Sequence, residues 1–210
     1  MEVRKVKPQN RLVKLLSLFI LSAAAWGEAR ITVRIVNSAV PVRMRLAGQR
    51  LAAEILRSAG VEADWVDCSG GLASRCAGPL RRGEFWLHLV DALPPRKLSG
   101  SAGFAVLYPA AGGREGYAGV FYPRVIQAAN QEDFDPAIVL GATIAHEIGH
   151  VLLGSKAHSP SGVMRSRLRR TEFEAALRGA LRFTSQEAEM IRRAWDNSPI
   201  RCPTRKSSLP

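Results

Sequence analysis

The sequence predicts an α/β protein: a mostly parallel twisted sheet of about five strands with an antiparallel edge strand, a crossover helix, one long apolar helix and C-terminal helices. Three observations carry this expectation. Apolar runs of period two flank one helical stretch near the start, and a strand, helix, strand unit connects right-handedly between parallel strands. A long apolar helix with start and stop signals follows the last strand candidate. The chain has 210 residues, 47% of them apolar, enough for one buried core and too few for two large domains. That composition also excludes a disordered tail or a coiled coil.

The elements follow in order. Ile31, Val33 and Ile35 alternate with Thr32 and Arg34 as a strand, which Pro41 stops. From Val42 to Ala59 the positions Met44, Ala47, Gly48, Leu51 and Ile55 recur at three and four, and Gly60 caps this amphipathic helix. Val61 to Cys68 reads as a second strand and Glu84 to Asp91 as a third, with Phe85, Leu87 and Leu89 on one face and Trp86, His88 and Val90 on the other. Gly103 to Tyr108 and Ala118 to Val125 are two more, separated by a turn around Gly112, Gly113 and Gly116. The first of these is short and flanked by Pro and Gly, which suits an edge. Asp135 and Pro136 then start a helix that Gly154 ends after Leu153. Its stripe of Ile138, Ala142, Ala145, Gly149 and Leu152 has small members that would let it lie close to a sheet. Thr171 with Glu174, and Thr184 with Glu187, read as capping boxes opening two further helices.

The ends of the chain carry separate signals. Arg4, Lys5, Lys7, Arg11 and Lys14 precede the uncharged run Leu15 to Ala25, with small residues after it, the layout of a secretory signal peptide. The run is too short for a ~30 Å hydrocarbon core, which needs roughly twenty residues. The expected organisation is a signal peptide over 1–27, a single domain over 28–200 and a tail over 201–210. The protein is therefore expected to be secreted or periplasmic, with no stable membrane anchor after signal cleavage, and a monomer. Removing 1–27 takes five positive charges and one negative from the net +12, leaving +8.

The basic cluster Arg165, Arg167, Arg169 and Arg170 has no interleaved aromatic residues, so it reads as a solvated face and no specific nucleic-acid partner is expected. Three cysteines allow at most one internal disulfide. Cys68 and Cys76, in a Gly- and Ser-rich loop, are expected to form it, leaving Cys202 alone.

The chemistry concentrates in His146-Glu147-Ile148-Gly149-His150 on the long helix. Two His four apart lie about 40° apart around a helix and about 6 Å along it, so both imidazoles can converge on one ion. Glu147 points to one side, where it can hold a metal-activated water and take its proton. A catalytic zinc needs a third protein ligand and an open fourth position. His158 is the candidate, because three of the four histidines fall between residues 146 and 158. On a continued helix it would lie about 12 Å beyond His150 along the axis, so the chain must turn back, and Gly154 stands where that turn begins. His88, mid-strand beside Trp86, reads as a packed strand residue, and Glu172 and Glu174, 22 and 24 residues past His150, are weaker third-ligand candidates that a helix start already explains.

With the stretch His158-Ser159-Pro160-Ser161-Gly162-Val163-Met164 included, the sequence resembles the metzincins, zinc metallopeptidases with an HExxH helix, a glycine turn, a third His and a methionine beneath the metal. The matrixin-like branch is the most similar. The resemblance implies that His146, His150 and His158 hold one catalytic Zn2+, that Glu147 is the general base, and that Met164 forms the floor of the site. It also implies a metzincin-like fold for the 28–200 domain. Two departures stand out. The glycine and the third His follow the second His by four and eight residues rather than the family's three and six. No Tyr follows Met164, where this chain has Arg165 and Ser166, so zinc and Glu147 must carry most of the charge stabilisation.

The function expected is a secreted zinc endopeptidase acting on a peptide or protein substrate. An extended substrate would pair with the edge strand at Gly103, Phe104, Ala105 and Val106. The alternative is a secreted metal-stabilised binding protein without catalytic activity. The presence of Glu147 favours the enzyme, since a structural site has no use for a base.

Overall fold

The computed structural model describes residues 29–38, 40–70, 76–107 and 116–196. The expected signal peptide, the tail with Cys202, Tyr108, and the turn at Gly112 and Gly113 lie outside the described residues. Five strands form one sheet in the order β2-β1-β3-β5-β4. They are β1 (Ala29–Asn37), β2 (Val61–Asp67), β3 (Glu84–Val90), β4 (Gly103–Leu107) and β5 (Gly116–Phe121). β1 runs parallel to β2 and β3, and β3 parallel to β5; β4 alone is antiparallel, on the β5 edge. This is the predicted sheet with its predicted edge strand. The alternation in β3 holds, since Phe85, Leu87 and Leu89 are buried and Trp86, His88 and Val90 are half-buried on the other face.

Five helices complete the fold: α1 (Val42–Arg57), α2 (Tyr122–Glu132), α3 (Pro136–Leu153), α4 (Arg170–Leu177) and α5 (Ser185–Asp196). α1 is the crossover between the parallel strands β1 and β2. The last strand and the helix α4 are bounded differently from the sequence expectation. The strand expected over Ala118 to Val125 begins at Gly116, a residue expected in the turn, and stops at Phe121, and residues 122–132 form a helix that was not expected. Pro123 sits in its first turn, where a missing N–H costs nothing, and Val125 and Ala129 are buried at helical spacing. α4 also begins one residue before Thr171. Its first-turn acceptor is therefore Glu172, which bonds the Arg169 N–H at 3.0 Å, in place of Glu174. The Thr184 and Glu187 box is present, with Thr184 N–H donating to Glu187 at 2.7 Å and Glu187 N–H to Thr184 Oγ1 at 3.3 Å.

α3 is the centre of the molecule. It packs against α1, α2, α4, α5 and the β4–β5 edge of the sheet, and every residue from Val139 to Leu152 is buried. The expected single stripe toward the sheet is therefore too narrow, because a helix apolar all round is a core helix. Gly48 of α1 and Gly141 of α3 let these two helices touch backbone to backbone; a Cβ on Gly141 would stand 2.7 Å from the Gly48 carbonyl oxygen. Leu140, Ile144 and Ile148 are fully buried, each contributing about 1.5–3 kcal/mol of hydrophobic stabilisation. Such burial holds α3 rigidly, and the residues it presents to the cleft inherit that rigidity. Cys68 and Cys76 form the expected disulfide, with Cα atoms 5.7 Å apart, at the end of β2.

Candidate metal centre

The site is built at the C-terminal half of α3 and the loop that follows it. Asp135 caps α3, its side chain accepting from Ala137 N–H at 2.7 Å. Gly154 ends it in the left-handed region, at φ 61°, donating back to the His150 and Val151 carbonyls. That φ favours glycine and reverses the chain where the third histidine required it. The loop then returns to the helix. His146, His150 and His158 present ring nitrogens that all lie within 4.8 Å of one another. The eight-residue interval between the second and third histidine is thus no obstacle to their meeting.

The orientation of two of the imidazoles is fixed by backbone carbonyls. His146 Nδ1 stands 2.7 Å from the Val163 oxygen, and His150 Nδ1 stands 2.8 Å from the Ser155 oxygen. A carbonyl can only accept, so each Nδ1 is the protonated nitrogen and each Nε2 carries a bare lone pair. Those two Nε2 atoms face one another at 3.1 Å. Two lone pairs at that distance repel, whereas donors about 2.0–2.1 Å from a common tetrahedral ion stand roughly 3.3 Å apart. The donor set therefore fits a divalent cation such as zinc. Burial points the same way, holding both rings neutral: it lowers the His150 pKa and takes that of His146 down to about 4.

Glu147 lies beside this cluster, buried, with no hydrogen-bond partner among the described residues, and burial pushes its carboxyl up to about 8. Its room comes from the edge strand. A Cβ on Gly103 would sit 2.7 Å from both Cγ and Oε1 of Glu147. Gly103 thus contributes space for the carboxylate, a role invisible to strand patterning. Met164 is fully buried, and its sulfur occupies the space that Gly149, next to His150, leaves by lacking a side chain. The tight turn carrying it is fixed by Ser159 N–H to the Met164 oxygen at 2.9 Å and Val163 N–H to the Arg182 oxygen at 2.9 Å.

Glu187, read from the sequence only as a helix cap, also accepts from the Ser159 hydroxyl. The start of α5 is thereby tied to the residue after His158. No local pattern announces this link, since the partners are 28 residues apart. Glu172 and Glu174 are engaged elsewhere, in ion pairs with Arg165 at 2.8 Å and Arg170 at 3.1 Å. His88 is not part of the cluster and does not line the cleft over it; its ring is tilted at 44° against Tyr117, with ring centroids 4.6 Å apart.

A cleft of about 600 Å³ opens over the histidines and Glu147. Gly103, Phe104 and Ala105 form part of its rim; Val106, the fourth residue expected along the substrate strand, does not line it. Among the described residues β4 pairs only with β5, which leaves its outer edge for an extended chain.

No protein-family model matches the chain, and no curated protein matches it in sequence. Among solved structures it is similar to archaemetzincin from Methanopyrus kandleri, at 16% identity and a TM-score of 0.47, covering 84% of this chain and 99% of that one. A likeness at this level says nothing of activity, and the site rests on its own geometry.

Proposed function

We propose that the protein is a metzincin-type zinc endopeptidase, of the matrixin-like branch by the order His158-Ser159 to Gly162-Val163-Met164, and that it is exported and cleaves peptides in the cleft. The observation that carries the reading is the pair of bare Nε2 lone pairs at 3.1 Å beside an unpartnered buried carboxylate. A structural metal site would need the first and have no use for the second. His146, His150 and His158 would hold the ion, with Met164 packed behind them.

A zinc ion held by His146, His150 and His158 would supply a Lewis acid for the scissile carbonyl and for the attacking water. Glu147 takes the proton of that water and delivers it to the leaving amine. The outer edge of β4 orients the substrate by strand addition. The Val163 and Ser155 carbonyls keep Nε2 of His146 and His150 turned to the cleft throughout.

Incubation of the purified protein with a diverse peptide library is expected to yield cleavage products that vanish with a chelator and return with zinc. Metal binding without cleavage of any peptide would favour the metal-stabilised binding protein.

Gly103→Ala is expected to lower kcat by about 10–100-fold while zinc content stays near that of the parent, because the new Cβ would stand 2.7 Å from Glu147 and from the Gly119 carbonyl oxygen of β5, with no histidine among its three nearest neighbours. Parallel kinetics and metal analysis check this; unchanged kcat would mean that Glu147 relaxes at no cost to the chemistry.

A further inference from the structure

The cleft is unbalanced in charge. Four cationic side chains line it, Arg124, Lys156, Arg165 and Arg167, against the single carboxylate of Glu147. Arg165 is largely compensated by its ion pair with Glu172 at 2.8 Å. The other three have no carboxylate within ion-pair distance among the described residues. Lys156 lies in the loop between the second and third histidines, near enough for its charge to act on His150. Arg167 lies three residues past Met164, and both it and Lys156 are exposed. Arg124 lines the same cleft from the first turn of α2. It is held by two neutral acceptors, Gln127 Oε1 at 2.6 Å and the Ser99 carbonyl, and its Nε is buried with no partner.

A guanidinium fixed by neutral groups keeps its full charge and loses little entropy on meeting an anion. Arg124 comes from α2, and Lys156 and Arg167 from two points of the connection between α3 and α4, so both of these segments bring positive charge to the lining that holds the histidines. Cations gathered in a cleft with low-dielectric walls raise the local concentration of anions and penalise like charge. Arg167 was read from the sequence as part of a solvated basic face; its place on the cleft gives it a specific counterpart.

We propose that this cleft selects peptides with acidic side chains beside the cleaved bond, an inference that rests on the peptidase reading and names its substrate class. The test uses one peptide sequence in three versions, carrying Asp and Glu, Asn and Gln, or Lys and Arg around the same central residues. The zinc-loaded protein is expected to cleave the acidic version with a kcat/KM at least about tenfold above the neutral one, and the basic version most slowly. The advantage should shrink as salt rises toward about 0.5 M, where the Debye length falls to roughly 4 Å. Lys156→Glu and Arg167→Glu should each reduce or reverse the preference.

In parallel, anisotropy of the same labelled peptides bound to Glu147→Gln protein measures selection without turnover. Acidic peptides bound best, in a salt-dependent manner, with no cleavage by the parent, would support the acidic selectivity and remove the peptidase. Equal binding or equal cleavage of acidic and neutral versions would overturn the acidic selectivity while leaving the peptidase untouched.

Discussion

Glu147→Gln is expected to cost peptide hydrolysis about 10²-fold or more while zinc content stays at the parental level. The carboxylate is not needed to complete the proposed metal-binding set, for which three histidines bring their ring nitrogens within 4.8 Å of one another. It is buried against Gly103 with no hydrogen bond to answer for, so an amide of the same shape enters the same space. A neutral amide is easier to bury than a carboxylate, and the variant should be at least as stable as the parent. What it cannot do is accept a proton. Hydrolysis rates and metal analysis on the same preparation decide the matter. Undiminished hydrolysis would exclude Glu147 as the base, and coincident loss of zinc would make it a ligand or a structural support.

The second large effect is on the metal itself. His158→Ala is expected to weaken zinc binding by more than about 100-fold, since partners one bond further from a metal already cost 10–100-fold when removed. The fold should survive the change, because His158 is exposed on its loop and that loop is held by Ser159, through the Met164 carbonyl and Glu187. Zinc titration and a thermal melt of the metal-free proteins separate the two effects. Glu172→Ala and Glu174→Ala serve as the comparison, because the arginines that occupy those carboxylates keep them from the ion. Full zinc retention in His158→Ala, with loss in either glutamate variant, would move the third ligand to α4 and end the metzincin reading.

The elements legible in the sequence are those whose cause is local. Asp135 before Pro136, Gly154 after Leu153 and the alternation in β3 each act within a few residues of themselves, and each sits where it was expected. α2 escaped because β5 passes directly into it: Phe121 ends the strand and is also the N-cap, with no side-chain cap bond, so Pro123 is the one local signal of the helix start. The start of α4 was misplaced because Glu172 and Glu174 both stand near the helix start, and the register depends on which one meets the Arg169 N–H. Arg167 was read as solvated because charge along a chain carries no record of which wall it will face.

By itself, the sequence determined the α/β order, the helix that carries His146, Glu147 and His150, the reversal at Gly154 and the pairing of Cys68 with Cys76. Each follows from dihedral preference, period or short loop closure. Only the tertiary structure decided that Val163 and Ser155 orient the imidazoles, that Gly103 makes room for Glu147, that Glu187 secures the residue after His158, and that three cations with no carboxylate partner among the described residues share one cleft. Apart from the nearby Ser155, these contacts join different elements. They arise because α3 is packed on every side, and which residues line its surroundings is set by the crossing of helices and sheet rather than by any neighbour in the chain.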